Sequence, residues 1–175
     1  MLFRSPFFDH MLTLLAKPSL CDLTIRAAGD LDVDAHHTVE DVGIVLGQAF
    51  ARALGDKKGI RRYGWALVPM DETLAQARIA LDFSNRPFLV FKAKGWRDLA
   101  NVELGRGEPY RVGLTKEFLQ GFASEARCNL HVDILRTEEP HHAVEAVFKA
   151  LAKADRKSTR LNSSHSSVSR MPSSA

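Results

Sequence analysis

Cysteine is scarce: Cys21 and Cys128 are the two thiols in 175 residues. So few cysteines build no disulfide framework, and reduced, buried thiols in a cytosolic protein are the expected state. Long hydrophobic runs are missing as well. The apolar stretches break well short of the roughly 18 residues that a membrane span needs. No charged stretch followed by an apolar one opens the chain, so no signal peptide is read there and a cytoplasmic location without membrane contact is expected. An excess of one charge is missing too, once the charges are located. The formal net charge is +3, yet residues 156–175 hold Arg156, Lys157, Arg160 and Arg170 and no acid. The first 155 residues carry 20 basic and 21 acidic side chains, a net of −1. Nucleic acid is therefore not expected as a partner.

What is present is ordinary globular composition, 45% hydrophobic and 26% charged, enough for one domain over 1–155 with a real core. Residues 156–175 stand apart. They hold eight of the 12 serines, and apolar periodicity vanishes there. Such a segment cannot bury enough apolar area to offset its ordering entropy, so a disordered tail is expected. Its text, KSTRLNSSHSSVSRMPSSA, resembles translated cloning-vector sequence more than a protein terminus. The other end opens almost directly on Phe7-Phe8-Asp9-His10, with no strand read before it.

Periodicity predicts helices over 6–16, 36–54, 115–127 and 141–153. Strands are predicted over 22–27, 31–34, 64–70, 74–83, 87–93 and 129–135, with 94–112 irregular. An internal repeat runs through these elements. CDLTI at 21–25 precedes HHTVE at 36–40, and CNLHV at 128–132 precedes HHAVE at 141–145. The offsets are 107 at the strand and 105 at the helix. The fold class is thus α+β: two duplicated halves, about 1–93 and 94–155, each a small sheet packed on helices in a layered sandwich.

Histidine carries the chemical signal. Six of the seven histidines, His10, His36, His37, His131, His141 and His142, lie in or beside the repeated elements; His165 lies in the tail. His36 and His37 stand four and three residues before Glu40, so each pair shares a helix face. Adjacent imidazoles diverge by about 100°, so they serve two ions more easily than one. A single HHxxE is most often a solvated helix start. Two copies, each behind an equivalent strand, point to metal, with Glu40 and Glu145 as carboxylate partners. Zn, Fe, Ni and Mn all suit imidazole with carboxylate.

At this point the motifs become familiar. FFDHML (7–12), GDLDVDAHHTVEDVGIVLGQAF (29–50), GDKKGIRRYG (55–64), PMDETL (69–74), LDFSNRP (81–87), LHV (130–132) and HHAVEAVFKALAKA (141–154) resemble the imidazoleglycerol-phosphate dehydratase family over about 7–154. The resemblance implies a manganese hydro-lyase of histidine biosynthesis, converting imidazole glycerol phosphate into imidazole acetol phosphate and water. It implies two manganese ions per active site and a large symmetric homo-oligomer with sites between subunits. Carried over by position, the metal ligands fall on His10, His36, His37, Glu40, His131, His141, His142 and Glu145. Of these, His10, Glu40 and Glu145 also face substrate. The phosphate-binding cations fall on Arg62, Arg86 and Lys149. Read without the resemblance, Arg62 is equally a solvated loop charge and Arg86 a turn residue.

The chain also departs from the family pattern. A glutamate expected as acid/base would lie on a strand ahead of Phe7, which leaves the catalytic acid/base unassigned. Pro18 stands where the family has a histidine, and Tyr63-Gly64-Trp65 replaces a Phe-Gly-Asp-like run. Residues 94–110 do not follow the family's shorter connection. The family's C-terminal phosphate-binding serine and lysine would fall in the vector-like tail. Two alternatives therefore stay beside the dehydratase: another dinuclear metal enzyme acting on a small phosphoester, and a non-catalytic fragment that folds and binds metal.

Overall fold

A computed structural model describes residues 5–29, 34–70, 77–106, 109–137 and 139–161. Helix α1 spans Pro6–Ser19, with proline at its first position, where no N–H is needed. It runs three residues past the expected stop. Pro18 sits in the last turn, where the Ser19 hydroxyl donates to the Leu15 carbonyl at 2.8 Å. Leu20 then closes it in the left-handed region at φ 61°.

The predicted strand at 22–27 is a partial miss. Leu23, Ile25 and Ala27 are half-buried between exposed neighbours, as a strand requires. Apart from a bridge at Arg26, however, the segment joins no ladder among the described residues. Of the strand expected at 31–34, residues 31–33 lie outside the described residues, and Asp34 is not in a strand. Helix α2 follows over His36–Leu54, as predicted.

Strands β1 (Tyr63–Val68), β2 (Ala77–Asp82), β3 (Phe88–Ala93) and β6 (Asn129–Ile134) form one sheet in the order β1-β2-β6-β3. The first two pairings are antiparallel, and β3 runs parallel to β6. The intervening 94–112 region is more ordered than expected: a single turn, α3 (Trp96–Leu99), and a two-stranded ribbon of β4 (Glu103–Leu104) and β5 (Tyr110–Arg111). Helix α4 (Leu114–Glu125) makes the crossover into β6, and α5 (Pro140–Ser158) ends the fold.

Pairing moves the division between the halves. Because β1, β2 and β3 share a sheet with β6, they group with the second repeated unit, not with 1–93. The true repeat is α1, extended segment, α2 against α4, β6, α5. Its backbone repeats as well. Leu20 and Arg127 both take positive φ, and Cys21 and Cys128 donate to Ala16 and Ala123 at 3.2 and 3.1 Å.

The helices pack crosswise, α1 on α5 and α2 on α4. Glycine makes this approach close. A Cβ on Gly43 would collide with the Phe118 carbonyl, and one on Gly47 would lie 2.6 Å from the Phe122 carbonyl. The core between helices and sheet holds Tyr110, Phe118 and Phe148 around buried Phe8, and the Tyr110 hydroxyl lies 3.0 Å from Thr115 Oγ1. No described helix is long and apolar enough to cross a membrane.

The described chain continues past the point where the tail is expected to begin. Helix α5 continues through Ser158, whose carbonyl accepts from the Arg62 N–H at 2.9 Å; the Arg160 carbonyl accepts from Arg61 at 2.9 Å. Leu161 bridges to Ile60. These bonds to the chain entering β1 hold residues 156–161, despite their polar composition. Residues 162–175, with His165, lie outside the described residues.

Candidate active site

Glu145 lies one turn into α5 and is 7% exposed. Helical spacing puts His141 Nε2 at 3.2 Å from its Oε2 and Lys149 Nζ at 2.6 Å from its Oε1. The packing of α1 on α5 adds His10, whose Nε2 lies 3.9 Å from the same Oε2. Burial pushes this carboxyl up, but the Lys149 and His141 hydrogen bonds and the His10 charge outweigh burial, leaving it below its ordinary pKa. The carboxylate thus stays ionised between two imidazoles and an ammonium.

The neighbouring histidine turns elsewhere, as the 100° step requires. His142 faces Glu139, at 3.9 Å from Nδ1, and the rings of His141 and His142 stand 5.8 Å apart at 79°. Glu139 also caps α5, accepting from the His142 N–H at 2.8 Å. The first repeat echoes this arrangement on α2. His36 Nε2 lies 3.9 Å from Glu40 Oε2, and the His36 and His37 rings are 6.0 Å apart at 68°.

His131 lies apart from these. It points from β6 to the outward face of the sheet, opposite the helix layer. There it lines a hollow of about 690 Å³ with Trp65, Arg86, Phe88 and Asn129. Tyr63, Trp65, Leu67 and Phe88 are exposed on this face.

The basic residues divide in the same way. Arg62 donates from Nε to Asp82 Oδ1 at 2.6 Å and from Nη2 to Oδ2 at 3.2 Å, and it stacks on Tyr63 at 4.9 Å. The Asp82 hydrogen bond raises its pKa further, against desolvation. Arg86 sits in the β2–β3 turn, its carbonyl held by Asn129 Nδ2 at 2.7 Å. Lys149 belongs instead to the Glu145 cluster and also reaches Met70 Sδ at 3.3 Å. It lies nine residues before Ser158, roughly 13 Å along α5 from the Arg62 backbone. The chain thus gathers His10, His141, Glu145 and Lys149 in one place and Arg62, Arg86 and His131 at the sheet.

The donor set suits a hard-to-borderline divalent ion: imidazole nitrogens with carboxylate oxygens. Among the described residues, though, no group of three such side chains is spaced to hold a metal ion. The donors stand as pairs and partial shells, on two sides of the molecule. Asp82, Asn129 and Glu139 were missed as supporting residues. Asp82 lies inside the LDFSNRP motif, but its pairing with Arg62 depends on strand register, which no local pattern encodes.

Fold, repeat and residue constellation together define a duplicated α+β hydro-lyase. The profile of the imidazoleglycerol-phosphate dehydratase family matches residues 4–154, and the chain belongs to that family, whose enzymes serve histidine biosynthesis. The dehydratase of Trichlorobacter lovleyi is 51% identical over 155 residues, covering 89% of this chain and 75% of that protein. That of Janthinobacterium sp. is 52% identical over 157 residues, covering 90% and 75%. The crystal structure of the Staphylococcus aureus dehydratase superposes with a TM-score of 0.77 at 38% identity, over 89% of this chain and 83% of that one. The Pyrococcus furiosus structure, solved in complex with (S)-C348, gives 0.69 at 32% identity, over 90% and 81%.

Proposed function

We propose that this chain dehydrates imidazole glycerol phosphate in a metal-dependent reaction, with two manganese ions per active site. The observation that carries the reading is Glu145, one ionised carboxylate reached by imidazoles from two different helices. His10, His36, His37, Glu40, His131, His141, His142 and Glu145 would hold the ions. When bound, the metal supplies Lewis acidity that eases loss of a weakly acidic carbon-bound proton. In the reaction that proton leaves one carbon of the glycerol chain, hydroxide leaves its neighbour, and the resulting enol becomes the ketone of imidazole acetol phosphate.

The chain's own residues bind and orient. Arg62 and Arg86 take the phosphate dianion, and Lys149 balances Glu145 beside the reacting end. His10, Glu40 and Glu145 face the substrate. Self-association into a large symmetric homo-oligomer, with sites between subunits, completes the partial shells. Its support is the placement of His131 on the outward sheet face, away from the helix-borne donors, amid exposed Tyr63, Trp65, Leu67 and Phe88. We place the enzyme in the cytoplasm, with neither nucleic acid nor membrane as a partner.

The test is incubation of the manganese-loaded protein with imidazole glycerol phosphate, following the enolised product. Turnover supports the reading. Release of inorganic phosphate selects a phosphoester hydrolase instead. Bound manganese with neither product selects a folded, metal-binding fragment.

A further inference from the structure

We infer that Asp82 and Asn129 are positioning residues for the phosphate site, each holding one of its two arginines. The inference rests on the reading of Arg62 and Arg86 as phosphate ligands. Asp82 and Asn129 are cross-strand partners, and Tyr63 and Phe88 extend the same row across the sheet in the order Tyr63, Asp82, Asn129, Phe88. The row closes one end of the outward face, and all four residues line the hollow with Arg86.

Each arginine meets this row differently. Asp82 grips Arg62 along one edge of the guanidinium, through Nε and Nη2 at 2.6 and 3.2 Å. A guanidinium has five N–H groups, so this edge contact uses two and leaves the end-on fork of Nη1 and Nη2 for a second oxyanion. Tyr63 covers one face of the group at 4.9 Å. The Arg62 backbone is in the left-handed region at φ 68°, which commits the side chain's point of departure.

Asn129 acts on the backbone of the other arginine. Its Nδ2 donates to the Arg86 carbonyl at 2.7 Å and to Ser84 Oγ at 3.2 Å, spanning the β2–β3 turn. Within the turn, Asn85 takes φ 63°, and its Oδ1 accepts from Lys57 Nζ at 2.8 Å. The turn carrying Arg86 is therefore held from both sides.

The chemistry explains why a carboxylate belongs beside a phosphate site. Asp82 halves the net charge of the two arginines, so it does not serve raw attraction. It orients, occupying one edge of the Arg62 guanidinium so that the other is left for the dianion. The ligand class is a phosphate monoester entering along the outward face.

The test uses the manganese-loaded full chain and two unreactive probes, the phosphate monoester glycerol 3-phosphate and imidazole, with affinity read by calorimetry. Asp82→Asn and Asn129→Ala are expected to weaken the phosphorylated probe on the order of tenfold to a hundredfold, leaving imidazole affinity and Tm unchanged. Asp82→Asn is nearly isosteric, so it carries the test should Asn129→Ala not fold. Arg62→Ala and Arg86→Ala are the controls. If these weaken the phosphorylated probe while the Asp82 and Asn129 variants bind as the parent does, positioning is overturned and the phosphate reading stands. If the arginine variants change nothing, the phosphate reading falls and takes the inference with it. Equal losses for both probes mean a general structural role and overturn positioning.

Discussion

The Cys21 thiol points at the Asp155 carboxylate across 3.9 Å, tying the end of α1 to the late turns of α5. Asp155 is 1% exposed, and its Oδ1 finds no hydrogen-bond partner among the described residues. By the helix offset of 105, its counterpart in the first repeat is Phe50, a core aromatic. Here a carboxyl occupies an apolar slot.

Burial pushes Asp155 up to about 7 from an ordinary 3.8, with the Cys21 hydrogen bond opposing it weakly. The unfolded chain therefore ionises first as pH rises. Stability from this group is highest below about pH 4, falls through the window to pH 7, and stays low above it. Asp155→Leu should flatten that dependence and stabilise the fold at pH 8 by up to about 4 kcal/mol. Thermal melts of both proteins from pH 4 to 8 check this; parallel curves would reject it.

Replacing both carboxylates proposed as metal ligands, Glu40→Gln with Glu145→Gln, should abolish manganese binding, since each pairs with a histidine at the head of one of the two repeated helices. Elemental analysis after dialysis measures it. Retention of two ions per chain would sink the ligand assignment.

Gly64 lies where β1 crosses α5, and a Cβ there would strike the Ala154 carbonyl. Gly64→Ala should cost about 1–3 kcal/mol through overpacking. A denaturant midpoint unchanged from the parent's would mean that β1 and α5 move apart freely.

Phe118 is fully buried and touches Phe8, Phe122 and Phe148. Phe118→Ala should destabilise by about 3–5 kcal/mol, because close packing leaves a cavity. Urea unfolding gives the number.

Trp65 is 65% exposed on the outward sheet face. If that face is a subunit contact, Trp65→Glu should move the protein to a smaller species on a sizing column. A parent that elutes as a monomer with metal bound would contradict interfacial sites.

The helices were legible because their apolar spacing is local, and the two HHxVE heads could be aligned from text. Sheet order was not. That β1, β2 and β3 group with β6 depends on pairings between residues up to 57 apart, and misreading them misplaced the boundary between the halves. The partnership of Asp82 with Arg62 was hidden for the same reason, since register brings them together. The end of α5 was misjudged because composition changes at Arg156, whereas its order comes from bonds made by Arg61 and Arg62 nearly a hundred residues upstream.

The seam between α2 and α4 has a consequence for how such a protein can change over time. Gly43, Gly47 and Gly121 let backbone meet backbone there, with little side-chain volume in between. Spacing between the two repeated units is then set by the main chain. Core residues elsewhere can drift in size without shifting α2 against α4. The seam acts as a ruler, and inherited variation is free on either side of it so long as those three positions stay bare.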